Sequence, residues 1–182
     1  MRRLIAVLAL AAFVLAVPTA ANADLPKAKS TKIKVGSSIG GIKLGQSAKS
    51  ALSAWGQSRS DDCAAVTDPA VLAALTQTCH WRGSATQGYA ALDVRDGKVV
   101  AITLQAGQKS NGECVYKGAL PKWKDAKKLG LGSSVPTIAR KYTKGFSNGS
   151  GWQLNSGKKA TLWESSGGRA CSISLVLLST IS

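Results

Sequence analysis

Ile42-Lys43-Leu44-Gly45-Gln46-Ser47-Ala48-Lys49-Ser50-Ala51-Leu52-Ser53-Ala54-Trp55 returns 87 positions later as Leu129-Gly130-Leu131-Gly132-Ser133-Ser134-Val135-Pro136-Thr137-Ile138-Ala139-Arg140-Lys141-Tyr142. Leucine, glycine and serine coincide at 44/131, 45/132 and 47/134, and an aromatic residue closes each stretch. Both read as an extended entry, a glycine and a capped helix, with Gln46 or Ser47 capping the first and Ser133 or Ser134 the second. Ala48, Ala51, Leu52 and Trp55 fall on one helical face, as do Val135, Ile138, Ala139 and Tyr142. Pro136 sits in the first turn, where its missing N–H costs little, and Gly56 stops the first helix.

Three strands are expected after each helix. In the first copy they are Cys79 to Arg82, Tyr89 to Val94 and Lys98 to Gln105, and in the second they lie near Trp152 to Asn155, Ala160 to Glu164 and Ala170 to Leu178. Around Arg95-Asp96-Gly97 a three-residue loop is the expected register, because it places Ala90, Leu92, Val94, Val100, Ile102 and Leu104 on one face. Asp68-Pro69 opens a further helix, to about Thr76, in the first copy alone. The resulting expectation is an α+β protein: two tandem helix-plus-three-stranded-antiparallel-sheet repeats in two layers, stapled by disulfides. The boundaries are 1–23 signal peptide, 24–38 flexible basic arm, 39–108 first repeat and 109–182 second repeat.

The leader reading rests on Arg2-Arg3, the uncharged apolar run Leu4 to Val17 and Ala21-Asn22-Ala23, which predict cleavage before Asp24 and a secreted, extracellular chain. The run falls short of the roughly 20 apolar residues of a spanning helix, so no transmembrane span is expected after cleavage. Cys63, Cys79, Cys114 and Cys171 all follow the leader. An even count in an oxidising compartment reads as two disulfides, and Cys63–Cys79 with Cys114–Cys171 keeps each within one copy. No CxxC-like pair exists and His80 is the single histidine, so no metal is expected.

Of the formal net charge of +15, Arg2 and Arg3 supply two, leaving +13 on the mature chain. Such a chain is drawn to anionic envelope surfaces or an acidic partner; nucleic acid suits the charge but not the extracellular address. No catalytic constellation emerges. His80 lies between Cys79 and Trp81 in an expected strand and reads as a structural or surface histidine rather than a triad member, Asp61-Asp62 and Asp93/Asp96 read as solvated loop carboxylates, and no phosphate-cradling glycine motif calls for a cofactor. The five tryptophans are more informative. Trp55 belongs to the helix core, whereas Trp81, Tyr89, Trp152 and Trp163 lie on strands and are candidates to line an open sheet face. Lys122-Trp123-Lys124 joins the copies as a candidate interface anchor.

Ile42 to Gly45, Gly56, Cys63, Cys79, Arg82-Gly83 and Tyr89 together resemble the β-lactamase inhibitor protein family of secreted actinobacterial proteins. The repeat is also similar to that of small outer-membrane assembly lipoproteins, which lack enzymatic activity. The resemblance implies a tandem-repeat α+β fold whose sheet surface binds another protein. The inhibitors carry an acidic residue before the matching tyrosine, and this chain has Gly88 there. The functional expectation is a secreted, non-enzymatic binding module for an extracellular protein, inhibitor-like, with a basic envelope protein that binds anionic wall polymer or lipid as the alternative.

Overall fold

The computed structural model describes residues 25–56, 63–65 and 77–178. The expected signal peptide and its cleavage point, and the helix after Asp68-Pro69, lie outside the described residues.

The architecture is built on one antiparallel sheet of eight strands. In chain order they are β4 (Cys63–Ala65), β5 (Gln77–Arg82), β6 (Tyr89–Arg95), β7 (Lys98–Gln105), β10 (Phe146–Ser147), β11 (Gly151–Ser156), β12 (Lys159–Ser166) and β13 (Arg169–Leu177). Their spatial order is β10-β11-β12-β13-β7-β6-β5-β4, so the last strand of each half meets the other at the centre. Leu175 faces Ile102 and Ile173 faces Leu104 across that seam. Separately, β1 (Ile33–Lys34), β2 (Ser38–Ile39) and β3 (Ile42–Lys43) form a small sheet, and β8 (Gly107–Gln108) pairs with β9 (Cys114–Val115).

This corrects the expected fold class. The protein is mostly β, with one continuous large sheet and, among the described residues, two short α-helices, α1 (Ala48–Trp55) and α2 (Val135–Lys141), rather than two helix-plus-three-strand repeats. The physical reason lies at the strand edges. Two separate sheets would each expose a row of unpaired N–H and C=O groups along β7 and β13, whereas joining them satisfies both rows and continues one apolar face.

The helix stretches dock alike on this sheet. Gly45 N–H donates to Val99 O at 2.8 Å and Ala48 N–H to Gly97 O at 2.8 Å; Gly132 N–H donates to Ala170 O at 2.8 Å and Val135 N–H to Gly168 O at 3.0 Å. Ser47 caps α1 by accepting from Ser50 N–H, and Ser134 stands at the N-cap of α2. Ala51, Trp55 and Ile138 are the helix residues fully withdrawn from solvent.

Two local expectations change. The β6–β7 hairpin uses a two-residue loop, with Asp96 (φ 51°) and Gly97 (φ 70°) both left-handed between the paired Arg95 and Lys98. A bulge shifts the register so that Val94 opposes Val99 and Asp93 opposes Ala101. The extra residue, Val100, absorbs the frame change that the sequence reading assigned to the loop, and Ala90, Leu92, Val94, Ile102 and Leu104 still share the core face. Within the expected flexible arm 24–38, Ile33 and Lys34 instead form β1, which pairs with Ser38 and Ile39 of β2. Ile33 and Ile39 are buried, and Gly36 N–H donates to Thr161 Oγ1 at 2.8 Å, tying the segment to β12.

Cys114 and Cys171 form a disulfide, Cα–Cα 5.9 Å, as expected. Cys79 is disulfide-bonded and its cross-strand partner is Cys63, whose side chain lies outside the described residues.

Candidate functional site

The core lies between one face of the large sheet and a covering layer made by residues 25–56 and 116–145. Ile33, Ile39, Ile42, Trp55, Leu120, Trp123, Leu131 and Ile138 of that layer pack in one cluster with Trp81, Leu92, Ile102, Trp163, Ile173 and Leu175 of the strands. Burying this much apolar surface on one side of the layer forces its charged residues to the other. The first segment carries six lysines and no acid, and the second carries eight Lys and Arg with Asp125 as its single acid. All fourteen cations are exposed except Lys124, which is half-buried. Asp125 is buried, and it accepts from Lys127 N–H and Leu129 N–H at 2.8 Å each and from Tyr142 Oη–H, so its charge is spent inside. The strand segments 77–115 and 146–178 carry seven Lys and Arg against four acids.

The candidate tryptophans do not line an open face. Trp81, Trp123 and Trp163 are 3%, 2% and 1% exposed, and Trp152 is half-buried beside α2, its Nε1–H donating to Tyr142 O at 3.3 Å. Trp55 meets Trp81 and Trp123 edge to face at 5.1 and 5.8 Å, and Tyr142 stacks on Trp163 at 5.3 Å. Strand alternation places Trp81, Trp152 and Trp163 on one face of the sheet, and that face is the covered one. Trp123 is drawn in by the layer itself. Gly40 (φ 60°) lies so close that a Cβ there would sit 2.5 Å from the Trp123 ring and 2.6 Å from Trp55 Nε1. Of the inter-copy anchor, Lys122 remains exposed, while Lys124 donates to Leu131 O at 3.2 Å and has its pKa lowered by burial.

Tyr89 is the one predicted ring on the opposite face. It pairs there with Gln105, 5.8 Å from the His80 ring and under the Arg82 guanidinium at 5.9 Å. Burial, then Arg82, lowers the His80 pKa. Asp93 accepts from Thr78 Oγ1–H at 3.0 Å, and burial raises its pKa. The floor between is of small residues: Ala91, Ala101, Thr103, Ser172 and Ser174. Gly88 stands at φ 80° with its would-be Cβ 2.0 Å from Gln105 O, so no acidic side chain fits there on this backbone.

Within the covering layer, a cleft of about 550 Å³ opens where residues 29–30, the Gly40-Gly41 turn and α1 meet, and Lys29, Ser30, Ser47, Lys49, Ser50 and Ser53 line it. None of these six was a candidate from sequence. The signal was present as closely spaced lysines and serines in 27–53, but reading 24–38 as a free arm separated Lys29 from Lys49.

No protein-family model matches the chain, and no curated protein does. Among solved structures, an extracellular protein containing a SCP domain from Bacillus anthracis str. Ames is similar at 13% identity and a TM-score of 0.40, over 76% of this chain and 45% of that one. This chain thus spans less than half of that protein's length.

Among the described residues, no helix is long and apolar enough to cross a membrane, and no cluster of three or more His, Cys, Asp and Glu is placed to hold a metal ion. The Cys114–Cys171 disulfide is compatible with a secreted protein.

Proposed function

We propose that this protein is a non-enzymatic binding protein of the cell envelope that engages an anionic polymer through its covering layer. The observation that carries the reading is the uneven spread of charge across the fold: fourteen cations against one buried acid on the layer, compared with seven cations against four acids on the strands. A surface of one sign attracts polyanions at long range and releases their counterions on contact, and salt weakens both effects. Export by the leader over residues 1–23, with cleavage before Asp24, brings the chain to such polymers. The test is retention on isolated cell walls and on a purified anionic polymer across a salt series. Retention that falls about a hundredfold or more between 50 and 300 mM salt supports the reading, and salt-independent retention would overturn it.

A second reading keeps a protein partner on the opposite sheet face, where Tyr89, His80 and Arg82 border the small-residue floor. The resemblance of Ile42 to Tyr89 to the inhibitor proteins supports it. A stoichiometric, salt-resistant complex weakened by Tyr89→Ala and untouched by neutralising layer lysines separates it from the first.

A further inference from the structure

We propose that the cleft between residues 29–30, the Gly40-Gly41 turn and α1 is the seat of one phosphodiester unit of the anionic polymer; this rests on the polymer-binding reading above. Its walls are held in place. Lys27 N–H donates to Trp55 O at 2.9 Å, closing the N-terminal segment onto the end of α1. Trp55 Nε1–H donates to Gly40 O at 3.2 Å, which fixes the glycine turn to the same helix. Ala48 N–H on Gly97 O ties α1 to the sheet. A site held in this way binds without first ordering its own backbone.

The lining has one hydrogen-bonding character. Ser30 Oγ accepts from Lys32 N–H at 3.2 Å, Ser47 Oγ from Ser50 N–H at 3.3 Å, and Ser50 Oγ from Gln46 Nε2–H at 3.0 Å. Each hydroxyl has therefore engaged an acceptor lone pair within the protein and keeps its proton to give. Lys29 and Lys49 add two exposed ammonium groups, with no ion pair to either among the described residues and no acid in the lining. The cleft thus offers hydroxyl protons and two cations with no negative charge, and its complement is an anionic acceptor.

A phosphodiester meets that description, since its non-bridging oxygens accept from several directions and carry one negative charge per repeat. A carboxylate polymer is a poorer match, because planar carboxylates are best held by a guanidinium fork and no arginine lines the cleft. A lipid surface is a poorer match too, because among the described residues the exposed large hydrophobic residue, Phe146, lies on β10 and does not line the cleft.

The mature chain is titrated with poly(glycerol phosphate), with polyglutamate of equal charge, and with phosphatidylglycerol vesicles at one salt concentration. The phosphodiester polymer is expected to bind most tightly. Lys29→Gln/Lys49→Gln is expected to weaken it about tenfold, against about threefold for Lys117→Gln/Lys144→Gln, which removes the same charge elsewhere on the layer. Ser50→Ala, which changes no charge, is expected to cost about threefold. Equal losses in the two double variants, or no loss in Ser50→Ala, would overturn the cleft assignment and leave the polymer reading standing. Equal binding of polyglutamate or vesicles would overturn the phosphodiester assignment. No binding of the unaltered chain to any of the three would overturn the underlying reading itself.

Discussion

The two helices sit on the sheet by corresponding backbone hydrogen bonds yet are held by unlike side chains. At α1 the cement is apolar. Trp55 is fully buried, edge to face with Trp81 and Trp123, and the indole donors of Trp55 and Trp81 end on the carbonyls of Gly40 and Gly56. At α2 the cement is polar. Tyr142 stacks on Trp163, donates its hydroxyl proton to Asp125 and lies under Lys127 Nζ at 4.2 Å, while Lys127 Nζ also donates to Lys141 O. One backbone solution thus tolerates two chemistries at the aromatic position, because docking is set by the glycine and cap geometry and the ring has only to fill space beneath it.

The difference is open to direct attack. Trp55→Ala removes the centre of the three-tryptophan cluster and is expected to cost about 3–5 kcal/mol in denaturant unfolding; a loss below about 1 kcal/mol would mean that α1 is held by its backbone bonds alone. Asp125→Ala leaves Leu129 N–H and Tyr142 Oη–H without their acceptor and is expected to cost about 2–3 kcal/mol. Hydrogen exchange should then rise in α2 while α1 keeps its protection, and equal exposure of both helices would erase the distinction.

The smallest effect is the one that only the polar end can show. Burial, then the hydrogen bond and charge of Asp125, raises the Tyr142 pKa above its ordinary 10. The folded state therefore holds this proton more tightly than the unfolded chain does. The stabilisation is complete below about pH 10 and is lost as pH rises above that value, once the unfolded chain can release the proton. Tyr142→Phe is expected to cost about 1 kcal/mol at pH 7 and to flatten the loss of stability above pH 10. An unchanged alkaline limb would show that another group governs it.

Much of the local structure was legible in the sequence because it depends on near neighbours. The α1 and α2 stretches, Gly56 as a stop and the strand spans follow from caps, glycines and alternation. The Cys114–Cys171 pairing follows from keeping each bridge within one copy. The site was less legible. Lys122 was named and is exposed, but Trp81, Trp123 and Trp163 were named for a surface and are core, since alternation separates two faces without saying which one a layer will cover. Tyr89 shares the parity of His80 and Arg82 across β5 and β6, and that parity could have set it apart from the tryptophans. The bulge at Val100 was invisible for a related reason: loop length and register trade against each other, and only the packed sheet selects the pair.

By itself, then, the sequence determined the helix motifs, the apolar strand face and the excess of positive charge, all of which reside in spacing and composition. The tertiary structure alone decided that β7 and β13 close into one sheet, that the tryptophans lie beneath the layer, and that Lys29 and Lys49 share a cleft. Each of those outcomes depends on groups distant in the chain, brought together by the need to pair open strand edges and to bury one face of the sheet.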